Sequence, residues 1–280
     1  MRASDDPEVS RRLLGSGTAA VRAEAVRALA AAGEIAPATE ALTDRSPLVR
    51  ATAQTALRRA ATDPATRYRT LLTQQPPQPS AVAGLGAQPP EPIADLAAQP
   101  PRPSVLAGLG ETGTRRDADL LRPWLAHPSS RGRAETVRAL RRLGDIPSQL
   151  LLPLLTDPVS SVTRQVVLSL IRQPLDEHFL RQLLRDPHPP HVQWAAYRLL
   201  RAQGDWTRVS VDLELIGAPD HAAHLAARVD LATWLGHDAA TTYSSPKGPR
   251  ATELATLVTA AEPTLGPHMT RLLRFHLGLS

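Results

Sequence analysis

The chain has 280 residues, is 42% hydrophobic but only 3% aromatic, contains no cysteine, and carries a formal charge of +5 at pH 7. The lack of cysteine excludes disulfides, thiolate metal sites and a cysteine nucleophile, and no apolar run is long enough to cross a bilayer. Of the 32 basic residues only Lys247 is lysine, so the charge is an arginine charge, in an Ala-, Arg- and Pro-rich composition like that of a high-GC coding sequence; this competes with nucleic-acid binding as its explanation.

In chain order, the opening stretch MRASDDPEVSRRLLGSG lacks an apolar signal-like segment, so a cytoplasmic protein is expected. Residues 21–29 then read VRAEAVRAL, and the pattern returns as VRATAQTAL at 49–57, GRAETVRAL at 132–140, VTRQVVLSL at 162–170 and VQWAAYRLL at 192–200. Ala or a small residue recurs at the fifth position and Leu at the ninth, and the apolar spacing in each copy predicts an amphipathic helix. Leucine-rich helices are expected before them at Ala38–Leu42, Leu150–Leu155 and Phe179–Leu184. Between each pair lies a turn with Asp and Pro, as at Asp44–Pro47, Asp157-Pro158 and Asp186–Pro190. There Asp or Ser can cap the helix and Pro is tolerated in its first turn. Gly33, Gly144 and Gly204 read as helix stops.

The middle of the chain follows the same grammar in shortened form. Residues 76–86 read PPQPSAVAGLG and 100–110 read PPRPSVLAGLG, with a short helix expected at Pro92–Ala98. The Gly-Leu-Gly triplets at 84–86 and 108–110 read as helix terminators rather than phosphate cradles. After Gly204 the pattern fades. DWTRVSVDLELI at 205–216 fits a helix or a short strand, 219–237 a helix opening at Pro219 and Asp220, and 251–262 and 265–278 two further helices.

A helical pair of this kind cannot bury its apolar face alone, so the units must stack. The units, carried by Asp44, Val49-Arg50, Ala53 and Leu57 and by the stretches VRAEAVRAL and GRAETVRAL, resemble HEAT repeats. They are similar to the short variety found in bacterial phycobilin-lyase-like proteins. The resemblance covers about residues 5–205. It implies an all-α, right-handed α-solenoid of about seven short helix pairs. The array would span residues 1–204, with short repeats at about 64–113 and a helical cap at 205–280.

Two arginine columns follow from the register. Arg22, Arg50 and Arg133 share the second position of the template, and Arg27, Arg138 and Arg198 the seventh. The HEAT resemblance implies Asp–Arg ladders that staple neighbouring repeats, and Asp44 with Arg50 is one such pairing. The seventh-position column, with Arg58, Arg59, Arg141 and Arg142, is expected to face solvent. His221 and His224 lie three apart on an expected helix, which would place two imidazoles on one face. No His-Glu pair of the kind carried by the di-iron HEAT-repeat hydroxylases is present. His188 and His191 read as surface residues of a Pro-rich turn. HEAT-like alkylation-repair DNA glycosylases use aromatic and acidic residues on a concave surface, which draws attention to Trp194 and Asp186.

The function expected is therefore a non-enzymatic protein–protein interaction scaffold. It would be a monomer with no cofactor, metal or membrane contact, holding an acidic partner on the concave face. Arg22, Arg27, Arg50, Arg133, Arg138, Trp194 and Arg198 are the contact candidates. Nucleic-acid binding of the glycosylase type and service as an accessory subunit of an enzyme are the alternatives.

Overall fold

The computed structural model describes residues 6–74, 100–242 and 244–279. The short copy expected at 76–86 and the helix expected at Pro92–Ala98 lie outside the described residues. All regular structure among the described residues is helical. The chain divides into two compact units, 1–151 and 152–280.

The first unit contains α1 (Pro7–Leu13), α2 (Ala19–Ala31), α3 (Ala36–Ala41), α4 (Pro47–Arg59), α5 (Pro64–Thr73), α6 (Pro103–Thr112), α7 (Ala118–Leu121), α8 (Ser130–Arg142) and α9 (Ser148–Leu151). Its helices start and stop where side-chain chemistry directs. Proline occupies the first turn of α1, α4, α5 and α6, where a missing N–H costs no hydrogen bond. The Asp63 carboxylate accepts from Ala65 N at 3.0 Å, capping an otherwise orphaned donor of α5. At the end of α2, Gly33 takes a left-handed φ of +88°. This allows Gly33 N to donate to Ala30 O and Glu34 N to donate to Leu29 O at 3.1 and 2.9 Å. Gly144 closes α8 in the same way, with φ +74°. At α4 the same motif is built on Ala61, with φ +55°, although an L side chain is strained there.

The template register describes the packing. Its fifth position (Ala25, Ala53, Thr136) and ninth position (Leu29, Leu57, Leu140) are buried in α2, α4 and α8. Helix α2 packs on α4, and α6 on α5 and α8. Each fully buried Leu contributes about 2 kcal/mol of transfer free energy. The Gly-Leu-Gly triplet at 108–110 corrects the sequence reading, for it lies inside α6 and does not terminate it. A Cβ on Gly110 would stand 2.5 Å from Ala139 Cα and Cβ, and one on Gly108 would stand 2.1 Å from the Tyr68 ring. Glycine is required here so that α6 can approach α8 and α5 closely.

The second unit opens with a 3-10 turn at Leu152–Thr156. It continues through α10 (Ser160–Leu170), α11 (Glu177–Arg185), α12 (Pro190–Arg201), α13 (Asp205–Ile216), α14 (His224–Thr233) and α15 (Pro249–Leu277). The fifth and ninth positions are again buried, as Val166 and Leu170 in α10 and Ala196 and Leu200 in α12. Residues 205–216, which fit helix or strand, are helical. Helix α13 is enclosed by α12, α14 and α15, so it is buried on nearly every side and its β-branched alternation carries no strand signal. The helix expected from Pro219 begins only at His224, because His221 is spent holding a turn. Helix α15 is broken at Gly266 (φ +79°, ψ 162°), matching the expectation of two successive helices.

Candidate functional site

The two arginine columns occupy different environments. At the second position, each side chain reaches back to a carbonyl of the turn before its own helix. Arg22 Nη1 donates to Ser16 O and Gly17 O at 2.8 and 3.1 Å. Arg50 Nη1 donates to Asp44 O and Arg45 O at 3.0 and 3.4 Å, and Arg133 Nη1 to His127 O and Pro128 O at 2.9 and 3.2 Å. Thr163 and Gln193, which hold this position in the second unit, reach Asp157 O and Asp186 O at 3.5 and 3.3 Å. The position is therefore a clip that ties each helix back to the carbonyls of the turn before it.

The remaining donors of Arg22 and Arg50 engage carboxylates. Arg22 forms a bidentate pair with Asp44, both distances 2.8 Å. Arg50 does the same with Glu111 at 3.2 and 2.6 Å. The pairing of Asp44 with Arg50 is thereby corrected. The Asp44 carboxylate serves the arginine of the preceding helix pair and also accepts from Ser46 N at 2.7 Å, while Arg50 takes only its carbonyl. Burial alone would raise the Asp44 carboxyl, but the hydrogen bonds from Arg22 and Ser46 hold it below the usual range. Arg22 and Arg50 are 8% and 4% exposed, so they are built into the interior rather than presented at a surface.

The seventh position points outward. Arg27 and Arg198 are exposed and Arg138 is half-buried. Arg27 pairs with Glu24 at 2.6 Å and Arg138 with Glu135 at 3.3 Å. Both are same-helix contacts of the kind that stabilise little. Trp194 is 37% exposed, its ring edge-to-face with Tyr197 at 5.9 Å.

Between the outward faces of α2 and α4 lies a groove of about 690 Å³. It is lined by Ala30, Ala31, Ala51, Ala56 and Ala60, by Ile35, Thr52 and Thr55, and by Arg27 and Arg59. Small side chains leave space for another backbone to approach, and the two guanidinium groups give it positive charge. Of these residues only Arg27 was a sequence candidate. The alanines carry no signal of their own, since an alanine-rich helix face reads equally as packing.

Histidines that suggested a metal pair serve the backbone instead. His221 lies before α14. Its Nε2 stands 3.1 Å from Leu184 O and its Nδ1 accepts from Ala223 N at 3.1 Å. His224 Nδ1 stands 2.9 Å from Leu215 O. His191, expected at the surface, is half-buried with Nε2 2.9 Å from Asp157 O.

The second unit holds a buried acid cluster that the sequence did not reveal. Asp212, 0% exposed, accepts from Tyr197 Oη at 2.7 Å, and its second carboxyl oxygen is buried without a hydrogen-bond partner. Burial raises the Asp212 carboxyl to about 8, with Asp230 adding to the effect. Burial acts on Asp230 too, but Arg208, which grips it bidentately at 2.7 and 2.9 Å, holds it below the usual range. Arg201 also pairs with Asp230. The two carboxyls are thereby pushed apart, Asp212 toward its protonated form and Asp230 toward its ionised form. The partners come from α12, α13 and α14, so the cluster ties three helices together.

Among the described residues, no group of three or more His, Cys, Asp or Glu is placed to hold a metal ion, and no helix is long and apolar enough to cross a membrane.

No family model matches the chain, and no curated protein matches it. Among solved structures the chain is similar to the complex of CpcE and CpcF of phycocyanin lyase from Nostoc sp. PCC7120. The identity is 14%, over 98% of this chain and 95% of that chain, with a TM-score of 0.33.

Proposed function

We propose that the protein is a non-catalytic binding module, and that its first unit holds a helical segment of a protein partner in the groove between α2 and α4. The observation that carries this reading is the groove itself, lined mostly by alanine and carrying Arg27 and Arg59. An alanine-rich lining admits a helix at close range, and acidic residues on that helix would meet the two guanidinium groups. In the second unit, Trp194 and Arg198 present an aromatic and a cation on the outward face of α12 as a further contact. Arg138 is a lateral contact in the first unit. Arg22, Arg50 and Arg133 contribute by holding the turns that set the helices' spacing.

The test uses the full chain, immobilised and exposed to a host lysate, beside a variant carrying Arg27→Glu and Arg59→Glu. Both side chains are at the surface, so the variant should fold normally. The expected result is a protein retained after nuclease treatment and at moderate salt, and lost with the variant. Retention of material that disappears with nuclease, with affinity falling steeply against salt, would replace this reading with nucleic-acid binding. Equal retention by the variant would remove the groove from the interface.

A further inference from the structure

A second feature of the first unit is distinct from the groove. The turns that lead into α4 and α6 and the first turn of α8 bring Arg45, Arg102 and Arg131 to the wall of one cavity of about 630 Å³. We infer that this cavity is a binding site for a compact, multiply charged phosphate, a diphosphate group in particular.

The charge inventory of the wall supports this. Arg22 and Asp44 also line the cavity, but they neutralise each other in the bidentate pair described above. Arg45, Arg102 and Arg131 are exposed, and none of the three has an ion pair or side-chain hydrogen bond among the described residues. Glu40 is the one other carboxylate on the wall. Three cations therefore face one anion across a shared space, and a bound polyanion would relieve their mutual repulsion.

The imbalance extends beyond the cavity. Arg45 and Arg131 also line an adjoining recess with Arg50, Arg138 and Arg142. Its carboxylates, Glu111 and Glu135, are already engaged by Arg50, Arg142 and Arg138.

The donor type narrows the ligand. A guanidinium presents paired N–H donors that match two oxygens of a phosphate, whereas an ammonium is a point charge. No aromatic side chain lines the cavity, so it offers no stacking surface for a base and reads the phosphate groups alone. Pro103 and Ser104 of the first turn of α6 also line the cavity, so the positive end of that helix adds to the field.

The probe is inorganic pyrophosphate, titrated calorimetrically into the full chain, with sodium sulfate at equal ionic strength as the control. A saturable one-to-one isotherm is expected for pyrophosphate and not for sulfate. The variant Arg45→Ala/Arg102→Ala/Arg131→Ala should weaken binding by about 100-fold or more, since each charge-assisted contact is worth roughly a factor of ten. Replacing all three by Lys should restore only part of it. These side chains are exposed and make no ion pair or side-chain hydrogen bond among the described residues, so the variants should keep the helical circular dichroism of the parent; Arg102→Ala alone serves if the triple variant does not fold. Absence of saturable binding, an equal response to sulfate, or unchanged affinity in the variants would each overturn the inference.

Discussion

Replacing Asp212 by Asn tests whether one proton is stored in the second unit. In the folded protein the Asp212 carboxyl titrates near 8, against 3.8 for an ordinary aspartate. A carboxyl raised on folding contributes its full stability below the unfolded value and loses it as pH rises through the folded value. Between these limits the native state binds one proton more than the unfolded state, so stability falls by about 1.4 kcal/mol per pH unit. Integrated from pH 6 to pH 8, with the slope halving near the upper limit, the loss is about 2 kcal/mol. An asparagine can accept from Tyr197 Oη as Asp212 does without titrating, so Asp212→Asn removes this loss. Urea unfolding followed by tryptophan fluorescence reports on the unit, because Trp206 and Trp234 pack edge-to-face in it at 6.2 Å. The variant should gain about 2 kcal/mol relative to the parent on going from pH 6 to pH 8. A difference that does not change with pH would mean that Asp212 is already ionised, and would refute the stored proton.

Four further substitutions test the fold. Ala61→Gly should stabilise the protein by about 1 kcal/mol in thermal or urea unfolding, because it relieves the left-handed conformation at the end of α4; a loss of stability would show that the turn is not strained. Gly110→Ala should destabilise by about 1–3 kcal/mol, since the added methyl meets Ala139 across the α6–α8 contact, and a neutral effect would show that the two helices stand further apart. Leu29→Asp and Leu140→Asp should each unfold the first unit at neutral pH, as both side chains are fully buried; cooperative melting near the parent's temperature would disprove the repeat register.

Much of the fold was legible because the packing repeats. Leu29, Leu57, Leu140, Leu170 and Leu200 sit at one template position, and every one is buried, as helical periodicity requires. Gly33 and Gly144 were legible because only a left-handed residue closes that type of helix end. The pairing of the arginines was only half legible. Their presence in columns was visible, but the carboxylate each one takes depends on which turn stands opposite, and Arg50 reaches Glu111 across a long stretch of chain. Gly108 and Gly110 were misread because a glycine that ends a helix and one that lets two helices touch look alike in a sequence. The groove, the arginine-lined cavity and the Asp212–Asp230 pair were hidden for a related reason. Each is assembled from separate helices by residues that are unremarkable one at a time.

The central claim is that a partner lies between α2 and α4, and the most direct measurement is site-specific photo-crosslinking. A photoreactive amino acid at Thr55, on the groove, is compared in host lysate with one at the exposed Arg116, which lines none of the cavities described above. The expected result is a crosslink from position 55 to one protein, abolished by Arg27→Glu and Arg59→Glu, with none from position 116. Crosslinks from position 116 alone, or equally from both, or to nucleic acid, would contradict it.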